Sequence, residues 1–269
     1  MSKNIVYCIY SYLSGNSFAK NLLPIVKDMS DWAEYKKADF KLITKIPDVI
    51  EDMYSSITKE YLNKQDIYRK QSFGKQITNS CNPKFKDEMA PMMHMYKAWI
   101  TKFFVLQHFY ESSYEKMLYV DCDIYPNDKN SEFKFDLIEN TWFMIKRPCP
   151  VTSKSGPKII TEKYLNRLID ERYLAGCIFL TKDYKHNIAE LFNYNDIYNL
   201  WLQDSMFIRE ESILNYLIYK NNINKDILTR WKQLQCPTCG AQRKYNFRFQ
   251  HIGNNSAKEK FIYNNEWKQ

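Results

Sequence analysis

Residues 117–128 read MLYVDCDIYPND, an apolar run that passes without a turn residue into Asp121, Cys122 and Asp123. The run Met117 to Val120 has the composition of a buried strand. Residues two apart on a strand point to one side, so a strand carried through this stretch projects Asp121 and Asp123 together from its C-terminal end. Two like charges that close repel each other, which raises a pKa or demands a cation. A buried strand ending in two carboxylates therefore predicts a positive partner at its tip.

The elements on either side set the fold class. Asn4 to Ser11 (NIVYCIYS) reads as a buried strand, a helical segment runs from about Phe18 to Met29, and FKLITK from Phe40 reads as a second strand. Pro47 opens a long amphipathic helical stretch through residue 70, its fixed φ suiting a first turn. A helix from about Pro91 to Phe109 leads into the acidic strand. Alternating strand and helix predicts an α/β fold, a mixed, mainly parallel central sheet flanked by helices, with ligands at the carboxyl ends of the strands.

Beyond the acidic pair come a strand-like TWFMIKRP at 141–148, a Ser/Gly/Pro/Lys loop from Val151 to Lys158 suited to mobility, and a helical ITEKYLNRLIDERY at 160–173. Tyr173 to Thr181 (YLAGCIFLT) reads as an apolar strand, Tyr184 to Phe192 as a helix, and Arg209 to Lys220 as a strong helix. Strand-like DILTRW, a CPTC loop, FRFQHIG and a lysine-rich tail close the chain. With no internal repeat and no linker, residues 1–269 read as one domain.

Composition bounds the setting. In 269 residues, 45% hydrophobic and 16% aromatic, there is ample material for a core. Seven irregularly spaced cysteines do not resemble a disulfide framework, and the N-terminus lacks the apolar region of a secretory signal, so a reduced, cytoplasmic setting is expected. No run reaches the ~18 apolar residues of a membrane span. A net charge of +8 favours anionic ligands, though dispersed lysines also serve solubility. Cys236 and Cys239 form half of a zinc knuckle or simply flank a Pro-Thr turn.

At such a strand end, hard carboxylate oxygens suit Mn²⁺ or Mg²⁺, with a phosphate completing the coordination. Three enzyme classes use an acidic pair of this kind. A haloacid-dehalogenase phosphatase carries it on the first strand, and a polymerase-type nucleotidyltransferase has a Gly-Ser turn shortly upstream, where FYESSY at 109–114 supplies serines but no glycine. The stretch EKMLYVDCDIYP at 115–126 instead resembles the metal-binding strand of nucleotide-sugar glycosyltransferases with the GT-A fold.

Within that superfamily the chain is remotely similar to the glycogenin and galactosyltransferase group, the eighth sequence family of glycosyltransferases. Four landmarks keep the group's order: Lys102 upstream of the acidic strand, Leu174-Ala175-Gly176-Cys177, Glu210-Glu211 followed by Leu214-Asn215, and His251-Ile252-Gly253 with Lys258 beyond. The terminal motif departs from the group's Pro-Trp and from its spacing. The resemblance implies that Asp121, Asp123 and His251 hold the metal, with Asp123 the main ligand and Asp121 its partner toward ribose or metal. It implies a donor site drawing on Tyr10, Lys102, Asp121, Ala175, Gly176, Gly253 and Lys258, the lysines neutralising diphosphate charge and a first-strand ring among Tyr7, Tyr10 and Tyr12 stacking on the base. Glu210 and Glu211 stand at the catalytic position, where they serve a retaining or an inverting reaction, or are first-turn residues favoured by the helix dipole. The implied activity is transfer of a sugar, from a UDP-sugar by resemblance, to a hydroxyl acceptor. The acceptor is expected to be a glycan, with a modified base in DNA as the alternative; a non-catalytic nucleic-acid-binding protein on the same fold is the rival reading. The Val151–Lys158 loop and the tail after Gly253 are expected to order over bound donor.

Overall fold

The computed structural model describes residues 3–10, 19–52, 85–126, 135, 139, 142–146, 156–169, 173–184, 190, 193–203, 210–223, 234–235 and 249–251. Strand β1 (Asn4–Ile9) is buried along its whole length, as befits a strand covered on both faces. Helix α1 (Ala19–Tyr35) follows, its stripe Leu22, Ile25, Val26, Met29, Trp32 and Ala33 buried at helical spacing. Strand β2 (Asp39–Ile43) pairs parallel with β1. Pro47 then accepts hydrogen bonds from the amides of Ile50 and Glu51, starting a helical turn at 48–52; the rest of that expected helix lies outside the described residues.

Helix α2 (Phe85–Glu111) begins six residues before Pro91 and crosses to β3 (Lys116–Asp121), which pairs parallel with the other side of β1. Strand β6 (Tyr173–Thr181) runs antiparallel to β3, and β5 (Trp142–Lys146) antiparallel to β6. The sheet order is β2-β1-β3-β6-β5, with β6 the reversed strand. The mixed, mainly parallel sheet flanked by helices is therefore the architecture expected. A small second sheet, β4-β8-β7, joins β4 (Ile124–Pro126) to β8 (Phe249–His251) and β7 (Leu234–Gln235).

Because the crossovers β1 to β2 and β2 to β3 step along the sheet in opposite directions and both are right-handed, α1 and α2 lie on opposite faces. One face buries Val6, Cys8, Leu118, Val120 and Phe179 under α1. The other buries Ile5, Tyr7, Met117, Tyr119 and Leu180 under α2 and helix α5 (Glu210–Lys220). The strand order reverses between β1 and β3, and Asp121 is the Cα partner of Ile9 there. Open α/β sheets receive ligands at such a reversal.

Several boundaries differ from the sequence reading. The acidic strand stops at Asp121, and Cys122 and Asp123 form the turn into β4, so the two carboxylates do not share one strand. Helix α3 (Gly156–Leu165) takes in the last three residues of the expected mobile loop; residues 151–155 lie outside the described residues. It ends well before Tyr173 because Asn166 turns to φ 49°, letting the Arg167 amide reach back to Glu162 O. The same stop closes α1 at Lys37 and α5 at Asn222. With 6 glycines in the chain, Asn and Lys fill positions that glycine usually takes. The expected helix at 184–192 falls mostly outside the described residues; helix α4 (Tyr194–Gln203) starts later, capped by Asn193 Oδ1 on the Asn195 amide at 2.8 Å. The expected strand at 226–231 and the CPTC loop also lie outside them.

Helix α5 is nearly all buried and is fastened to the start of β6 by Asn215. Its amide oxygen accepts from Tyr173 N at 2.9 Å, and its Nδ2 donates to Tyr173 O at 2.9 Å and Glu211 O at 2.7 Å. Replacing Asn215 by Ala leaves a buried N–H and a buried C=O unsatisfied, so stability should fall by about 2–4 kcal/mol in urea unfolding. A loss within experimental error of zero would show that this bond pair does not hold the helix.

Candidate active site at the end of β3

Lys102 sits in the buried stripe of α2, in step with Ala98, Val105 and Phe109, where an apolar residue is the rule. Its ammonium reaches Asp121 Oδ1 at 3.0 Å and Glu210 Oε1 at 3.0 Å, joining α2, β3 and the first residue of α5. The Lys102 side chain is 4% exposed, Glu210 9% and Asp121 29%. Asp121 is thus the member of the trio that opens outward. Asp123 follows in the turn and is itself buried.

The charges explain each other. Burial alone would strip the Lys102 proton, but Asp121 and Glu210 together outweigh it and hold the ammonium above the ordinary lysine range. Glu210 shares that single cation, so its own burial dominates; aided by Glu211 and Asp121, burial lifts its acid above the usual carboxylate value. The first turn of α5 adds a favourable dipole for both glutamates. One ammonium thus serves two carboxyl groups, with a third two residues along the chain.

Strand β6 completes the wall. Val120 pairs with Cys177, so one step further Asp121 faces Gly176. A Cβ built on Gly176 would lie 3.0 Å from Asp121 Oδ2 and 3.4 Å from Ile124 Cδ1, so the missing side chain is what makes room for the carboxylate. The β5–β6 register shifts beside this point, between Met144 and Ile145, an irregularity of the kind that re-aims residues next to sites. Ala175 is buried in the core beside it.

The predicted site residues come together unequally. Lys102, Asp121, Gly176 and Glu210 form one contact network, with Glu211 next in the chain and partly buried. Tyr10 follows β1 directly, its amide donating to Ile43 O at 3.0 Å. Tyr7 is fully buried, and its hydroxyl is 2.8 Å from His108 Nδ1, so its ring is core and not open to a base. Tyr12, Gly253 and Lys258 lie outside the described residues, as does the tail expected to close over the donor. The backbone of His251 pairs with Ile124, the residue after Asp123. Among the described residues no three His, Cys, Asp or Glu side chains converge to hold a metal ion. Cys8, Cys122 and Cys177 are buried cysteines outside any disulfide, and no described helix is long and apolar enough to cross a membrane.

No protein-family model and no curated protein sequence matches the chain. Among solved structures it is similar to a glycosyltransferase involved in glycosylation of the major capsid of PBCV-1, at TM-score 0.45 and 11% identity over 96% of this chain and 99% of that one. It is similar to mouse xyloside xylosyltransferase 1 in its apo form, at TM-score 0.43 and 8% identity over 95% and 98%. A third is the galactosyltransferase LgtC in complex with donor and acceptor sugar analogues, at TM-score 0.41 and 13% identity over 92% and 86%. Likenesses this low add nothing to what the chain's own residues say.

Replacing Lys102 by Met should destabilise the protein by about 3–5 kcal/mol at neutral pH, since it strands buried carboxylates without their cation. The loss should shrink toward pH 4.5. Glu210 keeps its proton to higher pH when folded than its ordinary 4.5, so ionising it costs stability as pH rises through that window, and without Lys102 the cost is larger. Urea unfolding at both pH values measures the difference. An equal loss at both would mean that Lys102 contributes packing and not charge.

Proposed function

We propose that the chain is a metal-dependent glycosyltransferase of the GT-A fold, moving a sugar from a nucleoside-diphosphate sugar, a UDP-sugar by resemblance, to a hydroxyl of a carbohydrate acceptor in the cytoplasm. The observation that carries this reading is the acidic pair at the carboxyl end of β3, at the reversal of strand order, where Asp121 is the carboxylate that opens outward and Asp123 follows in the turn. Such an end is where an α/β sheet takes a nucleotide. A pair of carboxylates there favours a divalent cation, and a cation there favours a diphosphate.

The carboxylate oxygens of Asp121 and Asp123 fit Mn²⁺ or Mg²⁺, and an imidazole beside them favours Mn²⁺. Asp123 would be the main metal ligand and Asp121 its partner. The pairing of β8 with β4 supports His251 as third ligand, since it brings that backbone to the residue after Asp123. When bound, the metal supplies Lewis-acid stabilisation of the departing diphosphate. The chain's own residues do the rest. Lys102 is committed to Asp121 and Glu210, so it holds the carboxylates in place instead of reaching for phosphate. Glu210 positions Lys102 in turn, which leaves acid–base duty toward the acceptor hydroxyl with Glu211. Lys258 and Gly253 belong to the donor site by resemblance, and Tyr10, directly after β1, is the aromatic ring on the base side.

Incubation with a panel of nucleotide sugars and Mn²⁺, scoring released nucleotide and label transferred to simple glycans or to hydroxymethylated DNA, tests the proposal. One donor should be turned over, with label on glycan, and Asp123→Ala should lower the rate by on the order of 100-fold or more while the protein stays folded. Full turnover by Asp123→Ala at saturating Mn²⁺ would refute the metal site. Label on DNA alone would refute the carbohydrate acceptor.

A further inference from the structure

Tyr119 lies two residues before Asp121 on the same face of β3, fully buried, and donates its hydroxyl to Asp121 Oδ1 at 2.5 Å. A buried tyrosine hydroxyl needs a partner, and a backbone carbonyl or a water would serve. Here the partner is the outward-opening carboxylate of the site. A hydroxyl bonded to a carboxylate is a short, charge-assisted contact, stronger than a bond between neutral groups. The Lys102 ammonium lies 5.4 Å from the centre of the same ring and 3.0 Å from the same oxygen. Oδ1 therefore receives two donors, one from its own strand and one from α2.

The other oxygen is confined differently. Oδ2 stands over Gly176, where a Cβ would sit at 3.0 Å, and its Lys102 contact is longer, at 3.4 Å. Two donors on one edge and bare backbone beneath the other leave the carboxylate a single orientation. A group fixed before its ligand arrives loses less freedom on binding.

We propose that Tyr119 is a positioning residue, whose hydroxyl locks the Asp121 carboxylate so that its Oδ2 edge is preset toward the metal and diphosphate. This rests on the reading of the site as a metal–nucleotide centre. Tyr119→Phe keeps the ring, and with it the packing and the contact with Lys102, while removing the one donor. Calorimetric titration of UDP, with Mn²⁺ and with EDTA, into the wild type, Tyr119→Phe and Asp123→Ala separates the possibilities. Tyr119→Phe should weaken Mn²⁺-dependent UDP binding on the order of 10-fold and leave the metal-free binding unchanged, as loss of a residue supporting a ligand does. A purely structural role would lower both equally, and no change in the Mn²⁺ arm would mean the hydroxyl has no role; either result overturns the proposal. If Asp123→Ala alone loses the Mn²⁺-dependent term, the metal site stands and only Tyr119's part fails. If wild type and Asp123→Ala bind identically, the metal reading fails and this inference with it.

Discussion

A single buried ammonium, Lys102, holds the carboxyl end of this sheet together. It is the shared partner of Asp121 on β3 and Glu210 on α5, so two consecutive elements and one distant in sequence meet at one charge. Charges out of water are tolerable only when paired, and each group here would be costly alone. That one ammonium is shared between two carboxyl groups, and Asp123 follows two residues after Asp121. The same arrangement thus ties the fold to the candidate site.

Topology decides where that arrangement sits. Chain direction reverses around β1, sending one crossover under each face and leaving the tips of β1 and β3 side by side. Asp121 is on one of those tips, and β6, running the other way, brings Gly176 against it. Asn215 then fixes α5 to the start of β6, which keeps Glu210 within reach of Lys102. Backbone pairing, a helix-to-strand side-chain bond and one ion cluster form a closed circuit around the carboxylate.

Much of this was legible in the residues. The largely apolar strands 4–9, 116–121 and 173–181 read as buried because both sheet faces are covered, and the acidic end marked the candidate site. Lys102 carried its own signal as a lysine in an apolar stripe. What stayed hidden depends on backbone geometry that pattern does not encode. The turn at Cys122 separates Asp121 from Asp123, and helices stopped by Lys37, Asn166 and Asn222 carry none of the glycine that usually announces such an end. Tyr119 looks like any core aromatic until its hydroxyl is seen to meet the neighbouring carboxylate, and Tyr7 only resembles a base-stacking ring until β2 and α2 close over it.

The central claim is that the end of β3 binds a divalent cation and a nucleoside diphosphate. Its most direct test is a crystal grown with Mn²⁺ and UDP and measured at a wavelength where manganese scatters anomalously. The account predicts one strong anomalous peak at coordination distance, about 2.0–2.4 Å, from a carboxylate oxygen of Asp123, with the diphosphate on its far side. A manganese peak elsewhere, or UDP bound away from the tips of β1 and β3, would contradict it.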